Sequence, residues 1–227
     1  MRMIAVYHKG ENLKNISHLD VQRTLQRGFR RAEIPLLFSN GFNPHPQLSF
    51  ASALATGCWS DAEWFDVEVE GTMEPQTFCE RVNEALPEGF RLSDAFVAPE
   101  GFGTLTNRVR AAEYDVRISF DRPVSAETLE EAIRTLLSGE IIVDKKTKGG
   151  IKPVDIRPQI LEVTVTGIEG TVASLRVLGK LQADGGLRVE LLLGALSGRL
   201  DAQLSADIHR TALYFAGDGP LPRLPLD

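Results

Sequence analysis

The segments MIAVYH at residues 3–8 and SHLDVQRTLQRGFRRAE at residues 17–33 establish the fold class of the first half of the chain. The first segment alternates like a β-strand, and the apolar residues of the second recur with a helical period. The remaining elements of this half are predicted as strands at 48–55 and 64–69, a helix at 76–86 and a strand at 90–97. This βαββαβ order is typical of a ferredoxin-like sandwich, in which two helices pack on one face of an antiparallel sheet.

The pattern nearly repeats after residue 111, with one strand inserted. The predicted elements are a strand at 114–120, a helix at 125–137, strands at 140–143, 160–167 and 172–179, a helix at 188–196 and a strand at 208–215. We therefore expect an α+β protein of two tandem ferredoxin-like units, the second with an inserted strand or hairpin. The predicted domains span residues 1–100 and 108–217, and an irregular tail follows at 218–227.

The composition is that of a globular chain. Of its 227 residues, 43% are apolar and 25% are charged, and no segment approaches the ~18 apolar residues that would span a bilayer. The N-terminus leads directly into a predicted strand rather than a signal peptide, so we expect a cytoplasmic protein without a membrane partner. Cys58 and Cys79 have neither metal-type spacing nor a disulfide framework. The net charge of −6 argues against indiscriminate nucleic-acid binding, but it is compatible with a local basic face.

The first helix combines a buried stripe with a basic side. Ser17 is a suitable N-cap residue, and Asp20 completes a capping box and meets the positive end of the helix. The predicted buried stripe consists of Val21, Leu25, Phe29 and Ala32. Four arginines recur at the same period elsewhere on the helix: Arg23, Arg27, Arg30 and Arg31. Guanidinium groups match phosphate oxygens in bidentate geometry, so these residues are candidate phosphate ligands; the alternative is that they only keep a surface helix soluble.

A stiff loop follows this helix. An Asn-Gly turn precedes Phe42 and Asn43, and prolines flank His45 on both sides. Phe42 either stacks on a base, as aromatic residues do with unpaired RNA, or packs back into its own core. His45 is a candidate for ligand binding, for proton transfer or for local capping.

The second half contains a basic segment with a Gly-Gly turn. Its cationic residues are Lys145, Lys146, Lys148, Lys152 and Arg157, against two acids between residues 144 and 158. The segment lacks the spacing of a P-loop, so it predicts a basic hairpin and not a nucleotide site. Two separate basic surfaces in an acidic chain favour a polyanion partner, although solvated loops are often rich in lysine.

Metal and catalytic signals are weak. His18 and Asp20 lie two positions apart on a helix and point away from each other, so we predict no metal site with His45 and no cofactor. The chain has no nucleophile elbow, no dinucleotide fingerprint and no three-cysteine cluster motif for a radical SAM iron–sulfur centre. No catalytic residue is predicted. If the chain does cleave RNA without a metal, His45 and His18 are the candidate acids and bases.

Several short motifs together resemble one family. They are Lys9-Gly10, Ile16-Ser17-His18-Leu19-Asp20, Arg23-Thr24-Leu25-Gln26-Arg27, Arg30-Arg31-Ala32, Pro35, Gly41-Phe42-Asn43-Pro44-His45-Pro46, Leu48-Ser49-Phe50-Ala51, Gly57, Ser60, Glu63, Asp66, Lys145, Thr147-Lys148-Gly149 and Asp155-Ile156-Arg157-Pro158. These motifs are similar to those of the radical-SAM-linked domain of unknown function, whose members are fused to or encoded beside B12-binding-type radical SAM proteins. The resemblance implies a radical SAM enzyme as partner, and it carries over no catalytic residue. The first domain is also similar, more loosely, to ferredoxin-like RNA-processing proteins of CRISPR systems.

The sequence thus favours a non-catalytic accessory module of a radical SAM protein that binds structured RNA, either tRNA or rRNA, for modification. The alternatives are a metal-independent endoribonuclease and a pure protein-docking subunit of the radical SAM enzyme. The residues predicted to contact RNA or the partner are Arg23, Arg27, Arg30, Arg31, Phe42, Asn43, His45, Lys145, Lys146, Lys148, Lys152 and Arg157.

Overall fold

The computed structural model describes residues 1–147, 150–182, 185–217 and 220–224, with the side chains of residues 146 and 147 also outside the description. The chain separates into two compact units. Unit 1 consists of Met1–Arg110 and Arg210–Asp227, and unit 2 of Ala111–His209. Helices and an extended sheet are both present, so the predicted α+β class is confirmed.

Unit 1 contains a small antiparallel sheet covered by helices. Its elements are β1 (Arg2–Lys9), α1 (His18–Arg31), β2 (Leu48–Phe50), β3 (Cys58–Glu68), α2 (Pro75–Ala85), β4 (Phe90–Val97) and the short helix α3 (Leu105–Arg108). The strands lie in the order β2-β3-β1-β4, and each neighbouring pair is antiparallel. This order places β1 and β3 in the middle of the unit, where their side chains are mostly buried.

Helix α1 forms where its local signals predict it. The backbone N–H of Asp20 donates to the Ser17 hydroxyl at 3.2 Å, which confirms Ser17 as the N-cap residue. The Ser17 hydroxyl in turn donates to the Asp20 carboxylate at 2.6 Å. The predicted stripe is buried, with the ring of Phe29 at 5.7 Å from that of Phe65 on β3 and 5.9 Å from that of Phe78 on α2. Burial of this stripe fixes which side of α1 faces solvent.

Unit 2 has a similar element order with an inserted hairpin. Its elements are β5 (Val109–Phe120), which starts at the end of unit 1, α4 (Ala126–Leu137), β6 (Ile142–Thr147), β7 (Gly150–Asp155), β8 (Ile160–Glu169), β9 (Val172–Gln182), β10 (Gly185–Gly186), α5 (Val189–Leu200) and β11 (Leu204–Phe215), which ends in unit 1. Strand β9 lies between β5 and β8, antiparallel to both. Strands β6 and β7 pair only with each other in the described part of the chain and form a separate two-stranded sheet.

Some element bounds differ from the sequence prediction. The strand expected at 48–55 ends at Phe50, because the chain turns there and reaches β3 through Gly57, whose φ of +91° suits glycine. Strand β3 starts at Cys58 and not at 64. The sequence pattern missed this first part of the strand because Ser60 and Glu63 are polar yet buried and so interrupt the apolar alternation. The inserted strand becomes the β6–β7 hairpin. The description as two ferredoxin-like units, and the domain bounds with it, stay predictions.

Candidate functional site

Three of the arginines predicted as phosphate ligands form an exposed row on α1. Arg23, Arg27 and Arg30 follow each other at spacings of four and three residues, and all three are exposed; we call them the arginine row. A guanidinium nitrogen of Arg23 lies 3.6 Å from the Asp20 carboxylate, and Arg27 donates to the Thr24 hydroxyl at 3.2 Å. Such surface contacts are weak in water, so the row retains most of its capacity for an anionic partner.

The carboxylate nearest the row keeps its charge over a wide pH range. The hydrogen bond from the Ser17 hydroxyl lowers the pKa of Asp20, and the positive charges of Arg23 and Arg27 lower it further. Asp20 is therefore ionised at neutral pH and offsets part of the positive charge at the N-terminal end of the row.

Arg31 has a structural contact that sets it apart from the row. It donates to the carbonyl oxygen of Ala85 at the end of α2. Reciprocally, Arg81 of α2 donates to the carbonyl oxygens of Ala32, at 2.6 Å, and Glu33, at 2.9 Å, at the end of α1. Each helix thus supplies a cation to the C-terminal carbonyls of the other, where the helix dipole favours positive charge. We therefore leave Arg31 outside the arginine row.

The loop after α1 folds into an arm that is hydrogen-bonded to the end of β3. The backbone N–H of Gln47 donates to Leu37 at 2.9 Å, and that of Ser39 donates to His45 at 2.8 Å, so residues 37–47 fold back on themselves; we call this segment the aromatic arm. The N–H of Leu37 also donates to Glu68 at the end of β3 at 2.9 Å. At the tip, Phe42 has a relative exposure of 106%. The ring therefore does not pack into the core, which was one of the two alternatives that the sequence left open.

His45 holds the aromatic arm together. Its Nδ1 lies 2.9 Å from the Ser39 hydroxyl oxygen, which also accepts the backbone N–H of His45 at 3.2 Å. When the imidazole is neutral, the hydroxyl can accept from the backbone and donate to Nδ1 at the same time. Asn43 lies exposed at the tip beside Phe42. Of the three roles open to His45 from sequence, local capping is the one that these contacts support.

Sequence reasoning did not identify a buried ionic cluster beneath the start of α1. Arg210 and Glu63 have relative exposures of only 3% and 1%, and one Arg210 nitrogen donates to both Glu63 oxygens, at 3.0 and 3.1 Å. The same nitrogen also contacts the Ser52 hydroxyl at 3.0 Å. The backbone carbonyl of Arg210 accepts from the Ser60 hydroxyl at 2.9 Å. The available signal was a carboxylate inside an apolar strand, but nothing in the local sequence indicates its partner.

Lys9 is the second buried cation of this cluster. Its ammonium donates to the carbonyl oxygens of Lys14, Ile16 and Cys58, at 3.1, 3.3 and 2.9 Å. These bonds tie the end of β1 to the segment that leads into α1 and to the start of β3. Burial lowers the pKa of Lys9, while the negative charge of Glu63 is among the influences that oppose this shift.

His18 and Tyr7 complete the cluster. Burial lowers the pKa of His18, and the charge of Lys9 lowers it further while that of Glu63 opposes the shift. Burial and the Glu63 charge raise the pKa of the Tyr7 phenol well above its ordinary value. The His18 ring meets the Phe50 ring edge-on at 4.7 Å, and its buried Nδ1 has no hydrogen-bond partner among the described residues. Both side chains are therefore uncharged at neutral pH.

Many of the residues that carry the family resemblance meet at this cluster. They include Lys9, Ile16, His18, Phe50, Ser60 and Glu63. The described contacts give most of these residues a structural task, which is to hold the start of α1 against the sheet. Within the described ranges, no group of three or more His, Cys, Asp or Glu residues could hold a metal ion.

The second predicted basic segment is the β6–β7 hairpin of unit 2. Lys145 lies directly opposite Lys152 across the two strands. Lys148 and the side chain of Lys146, both predicted to bind, lie outside the described residues. Arg157 lies at the base of the hairpin, where its guanidinium donates to the carbonyls of Leu137 at 2.6 Å and Ile160 at 3.0 Å. Arg157 therefore anchors the hairpin.

The fold and these surfaces define an α+β protein with basic, solvent-exposed elements in both units. Residues 2–189 match the family described as an uncharacterized protein conserved in bacteria (DUF2344), and the chain belongs to this family. No curated protein matches the sequence. No helix in the described part of the chain is both long and apolar enough to cross a membrane.

Two solved structures have a similar fold. One is described as an H/ACA RNP bound to a substrate RNA containing 2'-deoxyuridine, with 12% identity and a TM-score of 0.50. The other is the archaeal box H/ACA sRNP Nop10-Cbf5 complex, with 11% identity and a TM-score of 0.50. Each likeness covers 92% of this chain but only 46% of the other, so this chain spans less than half the length of those proteins. At this identity the likeness shows the fold alone.

Proposed function

We propose that the chain is a non-catalytic accessory module that binds structured RNA, tRNA or rRNA, and presents it to a radical SAM enzyme for modification. The observation that carries the proposal is that unit 1 exposes both the arginine row and the fully accessible ring of Phe42 at the tip of the aromatic arm. Arginine supplies charge for phosphates, and an exposed ring supplies a surface on which a base can stack.

The arginine row extends over about two turns on the side of α1 that faces solvent. Arg30 follows Arg23 by seven positions, which corresponds to about 10 Å along a helix. The buried stripe on the opposite side of α1 keeps the row facing solvent. Neutralising phosphates releases counterions, so RNA affinity is expected to fall steeply as salt is added.

The fold likeness and the motifs supply the remaining support. One of the similar structures is described as bound to a substrate RNA, which is a property of that protein and agrees with an RNA role here. The radical SAM partner rests on the resemblance of the motifs to the radical-SAM-linked domain. The proposal assigns the accessory role, and not RNA cleavage, because the contacts of His45 lie within its own arm.

A second candidate function is protein docking, and one observation favours it. The aromatic arm exposes two further apolar side chains, Leu37 at 37% and Phe38 at 51%. Apolar side chains grouped on one segment are typical of protein interfaces. In this reading the arm contacts the radical SAM enzyme and no RNA is bound.

One experiment separates these functions. The tagged protein is recovered from its native cells at low salt, and the co-purifying RNA and proteins are sequenced and identified in the same sample. The charge reversal Arg27→Glu is compared with Arg134→Glu, a control in which another exposed helical arginine, in unit 2, is reversed. Enrichment of one tRNA or rRNA fragment that Arg27→Glu abolishes and the control retains supports the proposal. A radical SAM protein recovered without RNA supports docking instead and contradicts RNA binding.

A further inference from the structure

The β6–β7 hairpin places two like charges in register. Lys145 and Lys152 are directly opposed, and the neighbouring opposed pair on the same face is Val143 with Val154. Residues directly opposite on antiparallel strands have Cβ atoms about 5 Å apart, and like charges at that position destabilise the pair. An isolated hairpin is marginally stable in water, so this arrangement works against its own folding.

The base of the hairpin is nevertheless built to hold it in place. The carboxylate of Asp155 accepts the backbone N–H groups of Ile141, at 2.8 Å, and Arg157, at 2.9 Å. The N–H of Ile156 donates to the Ile141 carbonyl at 3.0 Å, and the Arg157 guanidinium adds its two bonds to carbonyls of the unit. These bonds close both ends of the hairpin onto α4 and β8, so the lysine pair is carried on an anchored support.

The two faces of the hairpin differ in chemistry. Side chains alternate between faces along a strand, so Lys145 and Lys152 share a face with the valine pair. The other face carries Ile142 and Ile151, with relative exposures of 58% and 70%. Lys145 and Lys152 therefore share one face, where both ammonium groups can reach one point.

We propose that Lys145 and Lys152 clamp a single backbone phosphate of RNA between their two ammonium groups. This rests on the RNA binding proposed above and adds the contact that unit 2 makes. A phosphate bound between the two lysines attracts both ammonium groups and so offsets the repulsion between them. This gives a reason for an anchored hairpin to keep two like charges in register. Lysine suits this task because its ammonium is a compact charge with three donors and no fixed plane.

A charge reversal tests the clamp because it moves stability and binding in opposite directions. Lys145→Glu creates an attractive pair with Lys152, so amide exchange in the described hairpin residues should slow about 1.5- to 5-fold without RNA. The same change should weaken binding of a tRNA transcript and lower the magnitude of the slope of log affinity against log salt by about 1. Lys145→Gln and Lys152→Gln should each leave that magnitude nearly unchanged, because the remaining lysine still neutralises the shared phosphate, whereas the double variant should lower it by about 1.

Each outcome bears on one proposal. Additive slope changes in the double variant overturn the clamp in favour of two independent contacts. Unchanged binding in all the lysine variants, with Arg27→Glu still weakening it, overturns the clamp and leaves RNA binding by unit 1 intact. Absence of tRNA and rRNA binding by the wild-type protein at low salt overturns the proposed function itself.

Discussion

Removing the charge of Glu63 is the sharpest test of the structure of unit 1. In Glu63→Gln, the nearly inaccessible Arg210 guanidinium loses the carboxylate whose two oxygens lie 3.0 and 3.1 Å from one of its nitrogens. Breaking a buried pair by removing one partner costs about 3–5 kcal/mol, because the other charge remains desolvated. The glutamine amide oxygen can still accept one bond, so we expect a loss of about 3 kcal/mol in the free energy of unfolding.

The chain offers a probe that reports on unit 1 alone. Both of its tryptophans, Trp59 and Trp64, lie in β3, so urea unfolding followed by tryptophan fluorescence monitors this unit. Glu11→Gln is the matched control, since it removes an exposed carboxylate 3.1 Å from Lys14 in the same unit. The control should change stability by less than ~0.5 kcal/mol.

A double variant separates pairing from packing. Glu63→Leu with Arg210→Met removes both charges and keeps side chains of similar size. Its stability should lie within about 1 kcal/mol of wild type, because replacing a whole buried pair by apolar residues is often neutral. The reasoning is refuted if Glu63→Gln costs no more than the Glu11→Gln control, or if the double variant is as unstable as the single one.

Three further outcomes follow from the described contacts. Phe42→Ala should leave the melting temperature unchanged because the ring is fully exposed, yet weaken RNA binding by ~1–3 kcal/mol in a fluorescence titration if a base stacks on it. Lys9→Met should destabilise unit 1 by about 2 kcal/mol or more in urea unfolding, because three carbonyl oxygens lose the ammonium that they share. Burial lowers the pKa of His18 in the folded state, so the unfolded chain binds more protons and stability should fall as the pH drops below about 6.5. Urea unfolding between pH 7.5 and 5 checks this, and the pH dependence should weaken in His18→Phe; an equal dependence in that variant would contradict it.

The sequence predicted those features that depend on neighbouring residues. The Ser17 N-cap and the buried stripe of α1 follow from local hydrogen bonding and helical period, so they were available without the structure. The Glu63–Arg210 pair was not, because 147 positions separate the two residues and no periodicity links them.

The sequence also could not predict which candidate side chains are exposed and which make structural contacts. A phenylalanine in a loop is compatible with either a buried or an exposed ring, and only the backbone bonds of the aromatic arm decide it for Phe42. Likewise, lysines near a Gly-Gly turn predict a basic hairpin, but the register that opposes Lys145 to Lys152 depends on the strand pairing. The same limit applies to Arg157, whose cationic side chain anchors backbone carbonyls at the hairpin base.

The central claim is that the arginine row binds the RNA backbone, and the salt dependence of RNA binding tests it most directly. Affinity of the purified protein for a tRNA and an rRNA transcript is measured over a range of salt for wild type, Arg23→Glu with Arg27→Glu, and the control Arg134→Glu. We expect log affinity to fall linearly with log salt, and the double reversal to lower the magnitude of the slope by about 2 while the control leaves it unchanged. Equal slopes in all three proteins, or no binding by wild type at low salt, would contradict the claim.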